Sequence, residues 1–229
     1  TDLCNRTRFF ADTRSLLNDH PDISFVLIHF DIRNFHTYNS YWGEEEGNRL
    51  LRSIADFMRQ LAKRFDPCTY ARINADNFCL CAPYNAEALK KLTEQVRVEL
   101  AAYNHSYLIE PAFGLYLVTD PQEKIESMLE KAALAAKTCK SHLPLLPCYY
   151  RPGMSDTLLR EQRIVNEMQQ ALDEEQFLVY LQPKYSLSTE LPYGAEALIR
   201  WKHPERGLVP PGEFIPVFER NGFIGKVDF

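Results

Sequence analysis

The sequence predicts an α+β fold, a sheet covered by helices. Three observations carry that expectation. Ile23 to Asp31 is a nearly continuous apolar run, as expected of a strand buried on both faces. Tyr70 to Cys81 reads as strand, tight turn, strand, with the polar run Asn74-Ala75-Asp76-Asn77 between two stretches rich in strand formers. Glu44 to Arg64, Ala86 to Tyr103 and Asp120 to Lys140 each place apolar residues at helical spacing.

In chain order, Asn5 to Asn18 predicts a first helix, with Phe9, Phe10, Leu16 and Leu17 on its apolar face. His20-Pro21-Asp22 breaks it before the Ile23–Asp31 strand. Ile32 to Tyr41 reads as a polar loop or short helix. The helix from Glu44 opens on an acidic first turn, which suits its dipole. Pro67 ends that region, and the hairpin comes next. An Asn such as Asn74 can adopt the positive φ that a short turn asks for. After the Ala86 helix, Tyr107 to Val118 predicts a long strand, with Pro111 suggesting an edge or a bulge. A helix to Lys140 and a short strand within Leu143–Tyr150 complete this part. Arg151-Pro152-Gly153 marks a boundary. Ser155 to Glu174 then predicts a charged linker helix, leading to strands at Phe177–Leu181 and Tyr193–Trp201, a turn-rich loop from Pro204 to Gly212, and a short helix from Glu213 to Arg220. The expected organisation is a domain over 1–152, a linker helix over 153–175, and the start of a second domain over 176–229.

Composition narrows the function. A net charge of −5 argues against a nucleic-acid surface but leaves room for a small charged ligand held locally. No apolar run approaches the ~20 residues of a membrane span, and the polar N-terminus predicts no signal peptide. The expected compartment is the cytoplasm. The six cysteines lack metal-type spacing and are read as buried free thiols. Cys79 and Cys81 should share one face of a strand.

Two acids stand out. Asp76 lies at the tip of the hairpin and Asp31 ends the apolar strand. Carboxylates at the ends of neighbouring strands are what a divalent ion would need. The plainer reading is an acidic turn and a helix-capping Asp.

Further motifs carry a resemblance. Thr1-Asp2-Leu3-Cys4-Asn5-Arg6 is similar to the pattern T-G-L-x-N-R. Phe30-Asp31-Ile32-Arg33-Asn34-Phe35-His36-Thr37-Tyr38-Asn39 loosely matches F-x-D-[IL]-D-x-F-K-x-[IY]-N. Gly43 and Gly47 fit the glycines of G-H-x-x-G-D, and Ala132 to Lys140 is similar to A-D-x-A-L-Y-x-A-K. Together these resemble a GGDEF domain, the diguanylate cyclase fold, with its signature falling on Asn74-Ala75-Asp76-Asn77-Phe78. The resemblance puts metal ligation on Asp31, the Ile32 carbonyl and Asp76. It puts guanine contacts on Asn39 and Asn48, the glycine turn on Asn74 and Ala75, and a phosphate contact on Lys140. The departures point one way. Ala75 adds a Cβ where phosphate would pack, and Asn77 has lost a charge. Asn48 replaces a carboxylate that would accept two hydrogen bonds from guanine. The upstream R-x-x-D pattern is absent from Phe65-Asp66-Pro67-Cys68. A degenerate, non-cyclising domain is expected, with Mg²⁺-GTP as a candidate ligand.

From Phe177 the chain resembles the opening of an EAL domain, a cyclic di-GMP phosphodiesterase built on a (β/α) barrel. Phe177 to Lys184 is similar to its first strand. Gly194-Ala195-Glu196-Ala197-Leu198-Ile199-Arg200-Trp201 carries the EAL signature, and His203-Pro204 through Glu219 matches the family's next segment. The resemblance makes Glu196 a metal ligand and catalytic residue at the C-terminal end of the second strand, Arg200 a substrate-phosphate contact, and Gln182 a site-lining residue. It implies Mg²⁺ or Mn²⁺ as cofactor, cyclic di-GMP and GTP as ligands, and leaves a homodimer open. The roughly 75 residues after the boundary cannot close such a barrel of about 250 residues, so the chain alone is expected to be inactive. The rival reading is a non-catalytic nucleotide receptor or protein-interaction module.

Overall fold

The computed structural model describes residues 1–103, 108–139 and 147–227. They form two compact units, Thr1–Met154 and Ser155–Phe229.

The first unit is built on a five-stranded sheet. Its elements are α1 (Arg6–Asp19), β1 (Phe25–Ile32), α2 (Phe35–Trp42), α3 (Glu44–Ala62), β2 (Thr69–Asn74), β3 (Asn77–Pro83), α4 (Ala86–Tyr103), β4 (Pro111–Leu117), α5 (Ile125–Cys139) and β5 (Cys148–Tyr149). The strand order is β2-β3-β1-β4-β5. β1 lies in the centre, antiparallel to both β3 and β4, and every one of its residues is buried. That is why its sequence reads as one apolar run instead of alternating.

The pleat sends successive side chains of β1 to opposite faces. Val26, Ile28, Phe30 and Ile32 join Leu50, Leu51, Ile54 and Met58 of α3 and Leu89, Leu92 and Val96 of α4. Phe25 and Leu27 join Phe9, Leu16 and Leu17 of α1 and Met128, Leu129 and Ala132 of α5. Cys79 and Cys81 share this second core, as their spacing predicts. Burial pushes the Cys81 thiol up to about 12 and the half-buried Cys68 up to about 11, so both stay protonated and unreactive.

Four expectations change. β4 begins only at Pro111 and is not an edge strand, because it pairs with β1 on one side and β5 on the other. Proline is tolerated there as a first residue, where β1's Ile32 is its partner. Residues 104–107 and 140–146 lie outside the described set, so the start of the Tyr107 strand and most of the Leu143 strand are not placed. The thiols are neither all free nor all buried. Cys148 is disulfide-bonded, while Cys4 is free and exposed. Spacing alone cannot say which sulfurs meet in space.

Helix α5 lies directly on β4. A Cβ on Gly114 would fall 1.9 Å from the Ala132 carbonyl oxygen and 2.4 Å from the Ala136 nitrogen. Near the start of α5, Glu123 accepts hydrogen bonds from the Tyr116 hydroxyl and from Lys131 and Ser127, each at 2.6 Å. Burial pulls the Glu123 carboxyl up, but these three bonds outweigh it and hold it below the usual range.

The second unit contains α6 (Met154–Asp173, its first residue in the preceding unit), β6 (Phe177–Tyr185), β7 (Pro192–His203), β8 (Gly207–Val209), α7 (Pro211–Asn221) and α8 (Ile224–Val227). The three strands form one antiparallel sheet, β6-β7-β8. β8 falls within the stretch read as loop, since Gly207 supplies a positive φ of 69° at the turn and Trp201 pairs with Val209 beyond it. An aromatic core of Phe177, Trp201, Phe214, Phe218 and Phe223 holds the sheet to α7. His203 organises the β7–β8 turn: its Nδ1 accepts from the backbone N–H groups of Glu205 and Arg206, and its Nε2 faces Glu167 of α6 at 3.2 Å.

Candidate functional site

The β2–β3 hairpin closes through two residues, Ala75 and Asp76, with Asn74 paired to Asn77. The positive φ falls on Ala75, at 38°, and not on Asn74 as the sequence suggested. Positive φ at the first of two central residues is the sign pattern of a II′-type turn, which matches the twist of the strands. Asn74 is instead kept in the ladder, where its side-chain oxygen accepts from the Asn77 amide. The Arg72 Nε donates to the Ala75 carbonyl at 2.6 Å and braces the turn. An alanine held at positive φ costs on the order of 1 kcal/mol. Ala75→Gly is therefore expected to stabilise this unit by about 1 kcal/mol, read as a higher urea midpoint. A midpoint equal to or below that of the parent would mean that the methyl group makes contacts worth more than the strain.

Asp76 is positioned by this turn. Its Oδ2 accepts the Ile32 N–H at 3.1 Å. β3 last pairs with β1 at Phe30 and Phe78, so Ile32 has passed the end of that ladder. The carboxylate thus extends the sheet by one hydrogen bond. Asp31 is buried and lines a cavity of about 340 Å³ together with Arg6, His29, Asn74, Asn77, Glu130 and Lys137. Among the described residues, no three His, Cys, Asp or Glu side chains are placed to hold a metal ion.

Asn39 and Asn48 sit at the corner between α2 and α3. Asn48 is exposed. The Asn39 Oδ1 is buried, has no hydrogen-bond partner among the described residues, and lies against Gly47. A Cβ on Gly47 would stand 1.9 Å from that oxygen. The glycine leaves room for a buried acceptor, and a buried acceptor without a donor is what a ligand N–H could satisfy. Lys140 lies outside the described residues.

The sequence reading missed two groups. Arg33 stands where the matched pattern carries a second acid, and it pairs with Glu110 at 3.4 Å. Lys137 stands where the α5 pattern has tyrosine and reaches the cavity wall. The spacing of A-D-x-A-L-Y-x-A-K already placed Lys137, three residues before Lys140 in the sequence.

In the second unit, Gln182, Glu196 and Arg200 share one face of the β6–β7 ribbon. Gln182 pairs with Glu196, and Leu178 pairs with Arg200. Glu196 is in the first half of β7, not at its C-terminal end. The strands are antiparallel, so the start of β7 lies beside the end of β6. The carboxylate is exposed and is met by Lys184 at 3.2 Å, not by Arg200. Arg200 lies over the Tyr180 ring at 5.8 Å.

Residues 1–143 match the family model described as "Diguanylate cyclase, GGDEF domain". The chain belongs to the GGDEF family. Residues 165–229 match part of the EAL domain model, so a GGDEF domain is followed by a partial EAL domain. A curated relative is the bifunctional diguanylate cyclase/cyclic di-GMP phosphodiesterase MucR of Pseudomonas aeruginosa, 26% identical over 211 residues that cover 90% of this chain. The chain spans 30% of the length of MucR. Among solved structures, the GGDEF domain of DgcB from Caulobacter crescentus, in complex with c-di-GMP, superposes with a TM-score of 0.57 at 22% identity, covering 66% of this chain and 92% of that one. The S helix-GGDEF-EAL structure of Vibrio cholerae LapD, bound to c-di-GMP, gives 0.53 at 16% identity, covering 98% and 55%. At these identities the likeness shows the fold. The unclosed sheet of residues 177–209 and the five-stranded sheet both agree with the α+β expectation. Among the described residues, no helix is long and apolar enough to cross a membrane.

Proposed function

We propose that this chain is part of a cyclic di-GMP signalling protein in which the GGDEF domain is regulatory and non-cyclising. It binds guanine nucleotide without turning it over. The observation that carries this reading is the hairpin turn. Ala75 places a methyl group where a triphosphate would approach the backbone, and the Asp76 carboxylate is held by the Ile32 N–H. Metal-assisted phosphoryl transfer needs carboxylates free to converge on the ion. The buried Asn39 oxygen supports retention of a base-binding corner despite the lost chemistry.

In a protein that carries the rest of the EAL domain, the proposed reaction is hydrolysis of cyclic di-GMP to the linear dinucleotide. Glu196 would contribute one carboxylate, with Arg200 toward a substrate phosphate and Gln182 beside it. Divalent ions are general to both domain families. A single carboxylate paired to Lys184 does not fit that role by itself, and no step is assigned to this chain. The same ion pair favours a second reading, a receptor that binds cyclic di-GMP without cleaving it.

The purified chain is expected to convert neither GTP nor cyclic di-GMP with Mg²⁺ or Mn²⁺ present, as followed by chromatography of the nucleotides. Turnover that disappears on Asp76→Ala or Glu196→Ala would overturn the proposal. GTP titration should show binding; none at millimolar GTP would leave the domain as a scaffold.

A further inference from the structure

The β7–β8 turn is closed by one side chain. Pro204 has no N–H, so the first donors of the turn are the backbone N–H groups of Glu205 and Arg206. Both go to the Nδ1 of His203, at 3.1 and 3.2 Å. An amide N–H can only donate, so Nδ1 is the unprotonated nitrogen and the ring is the neutral Nε2–H tautomer. Its Nε2 then donates to Glu167 of α6 at 3.2 Å. His203 is only 8% exposed, and its ring lies 5.5 Å from that of Trp201. The charged groups around it are Glu167 from α6 and Glu205 and Arg206 from the turn. The Arg206 guanidinium stands 3.9 Å from Glu167 and 3.9 Å from Glu213 of α7, and its Nε is buried without a hydrogen bond. At that distance it does not replace the imidazole as a donor to Glu167.

We infer that His203 is a proton-sensitive latch: with Nδ1 unprotonated it closes the β7–β8 turn against α6, and a proton on Nδ1 releases both backbone N–H groups and opens the turn. Protonation adds a donor where two donors already point, and so breaks two hydrogen bonds. On the other side of the ring it only strengthens a contact with Glu167 that the neutral tautomer already makes. It also sets a cation beside Arg206 in a site with little water. The closed turn therefore holds one proton fewer than the open one. Its stability is present above the ordinary histidine range and is lost as the pH falls through it. The latch lies on β7, the strand that also carries Glu196, and next to the point where Gln176 holds Trp201 and Lys202. Acid thus loosens the end of the strand that α6 holds.

The test uses the full 229-residue chain. Amide hydrogen exchange at Glu205 and Arg206 is followed at about pH 7.5 and about pH 5, corrected for the intrinsic pH dependence of exchange. Opening is expected to be about tenfold more frequent at the lower pH, because a histidine freed from the turn takes up its proton over this interval. The α7 amides serve as reference and should change by less than about twofold. His203→Asn keeps an acceptor near the place of Nδ1 but cannot titrate, so its turn should stay closed at both values. His203→Gln keeps a donor toward Glu167 but lacks that acceptor, so its turn should be open at both. An equal pH response in the parent and in His203→Asn would overturn the inference. So would no response in the parent, or an equal rise in the α7 amides, which would mean that the whole unit opens. Ring ¹⁵N spectra of the parent chain give a check that needs no variant. Near neutral pH His203 should be the Nε2–H tautomer, and finding the Nδ1–H tautomer or the imidazolium there would overturn the inference as well.

Discussion

Gly114→Ala is expected to destabilise the GGDEF unit by about 3 kcal/mol, the upper part of the range for forcing a methyl group into a packed interior. The added Cβ would meet backbone, not side chain: the Ala132 carbonyl oxygen at 1.9 Å and the Ala136 nitrogen at 2.4 Å. Side chains can rotate away from such a contact, but a helix backbone must move as a whole. α5 is held in place at the same time by the Glu123 bonds to Tyr116, Ser127 and Lys131, so it cannot lift freely. Glycine is needed here for close approach, not for its φ, which is ordinary. A fall of about 10 °C in the thermal midpoint is expected for a unit of this size. A midpoint within about 2 °C of the parent would show that α5 can slide to make room.

Trp201→Ala is the second large effect, and it belongs to the EAL unit. Trp201 is fully buried, its indole N–H donates to the Gln176 side chain at 2.9 Å, and its ring contacts Phe177, Phe214 and Phe218. Arg206 lies over its ring at 5.5 Å. Truncating a buried tryptophan typically costs 3–5 kcal/mol, and about 4 kcal/mol is expected here. A unit this small has little stability to lose. Limited proteolysis should cut within β6, β7 and α7 at least about ten times faster than in the parent, because that loss of stability raises the open population by more than this factor. Cleavage at the parental rate would mean that Phe177, Phe214 and Phe218 close over the gap.

Most of the fold was legible because its elements differ in period. The apolar run at 25–32, the helical spacing of Leu50, Leu51, Ile54 and Met58, and the polar Asn74–Asn77 break each pointed to one kind of structure. What escaped was decided by partners distant in sequence. Pro111 looked like an edge residue until β5 was placed beside β4. Gly207 to Val209 is too short to show a period, and becomes a strand only because Trp201 to His203 is there to pair with it. The site was less legible. A motif does not say what a side chain is already bonded to. Asp76 reads as a metal-binding acid, and its carboxylate accepts the Ile32 N–H. Asn74 reads as the left-handed residue, yet Ala75 takes that place, since pairing of Asn74 with Asn77 leaves the strain to the residue between. Glu196 meets Lys184 because antiparallel pairing sets two residues apart in register within reach across the ribbon.

The position of β1 constrains how the chain can reach its native state. It is made before both of its neighbours, is apolar but for His29 and Asp31, and pairs only with β3 and β4, whose residues lie at 77–83 and 111–117. During synthesis the strand therefore emerges well before either edge can be paired. An uncovered apolar strand with two open edges is the kind of segment that associates with other chains. The central place that makes β1 the best-protected element of the finished domain makes it the most exposed hazard of the nascent one, and closure of the sheet must wait for the last of its long-range partners.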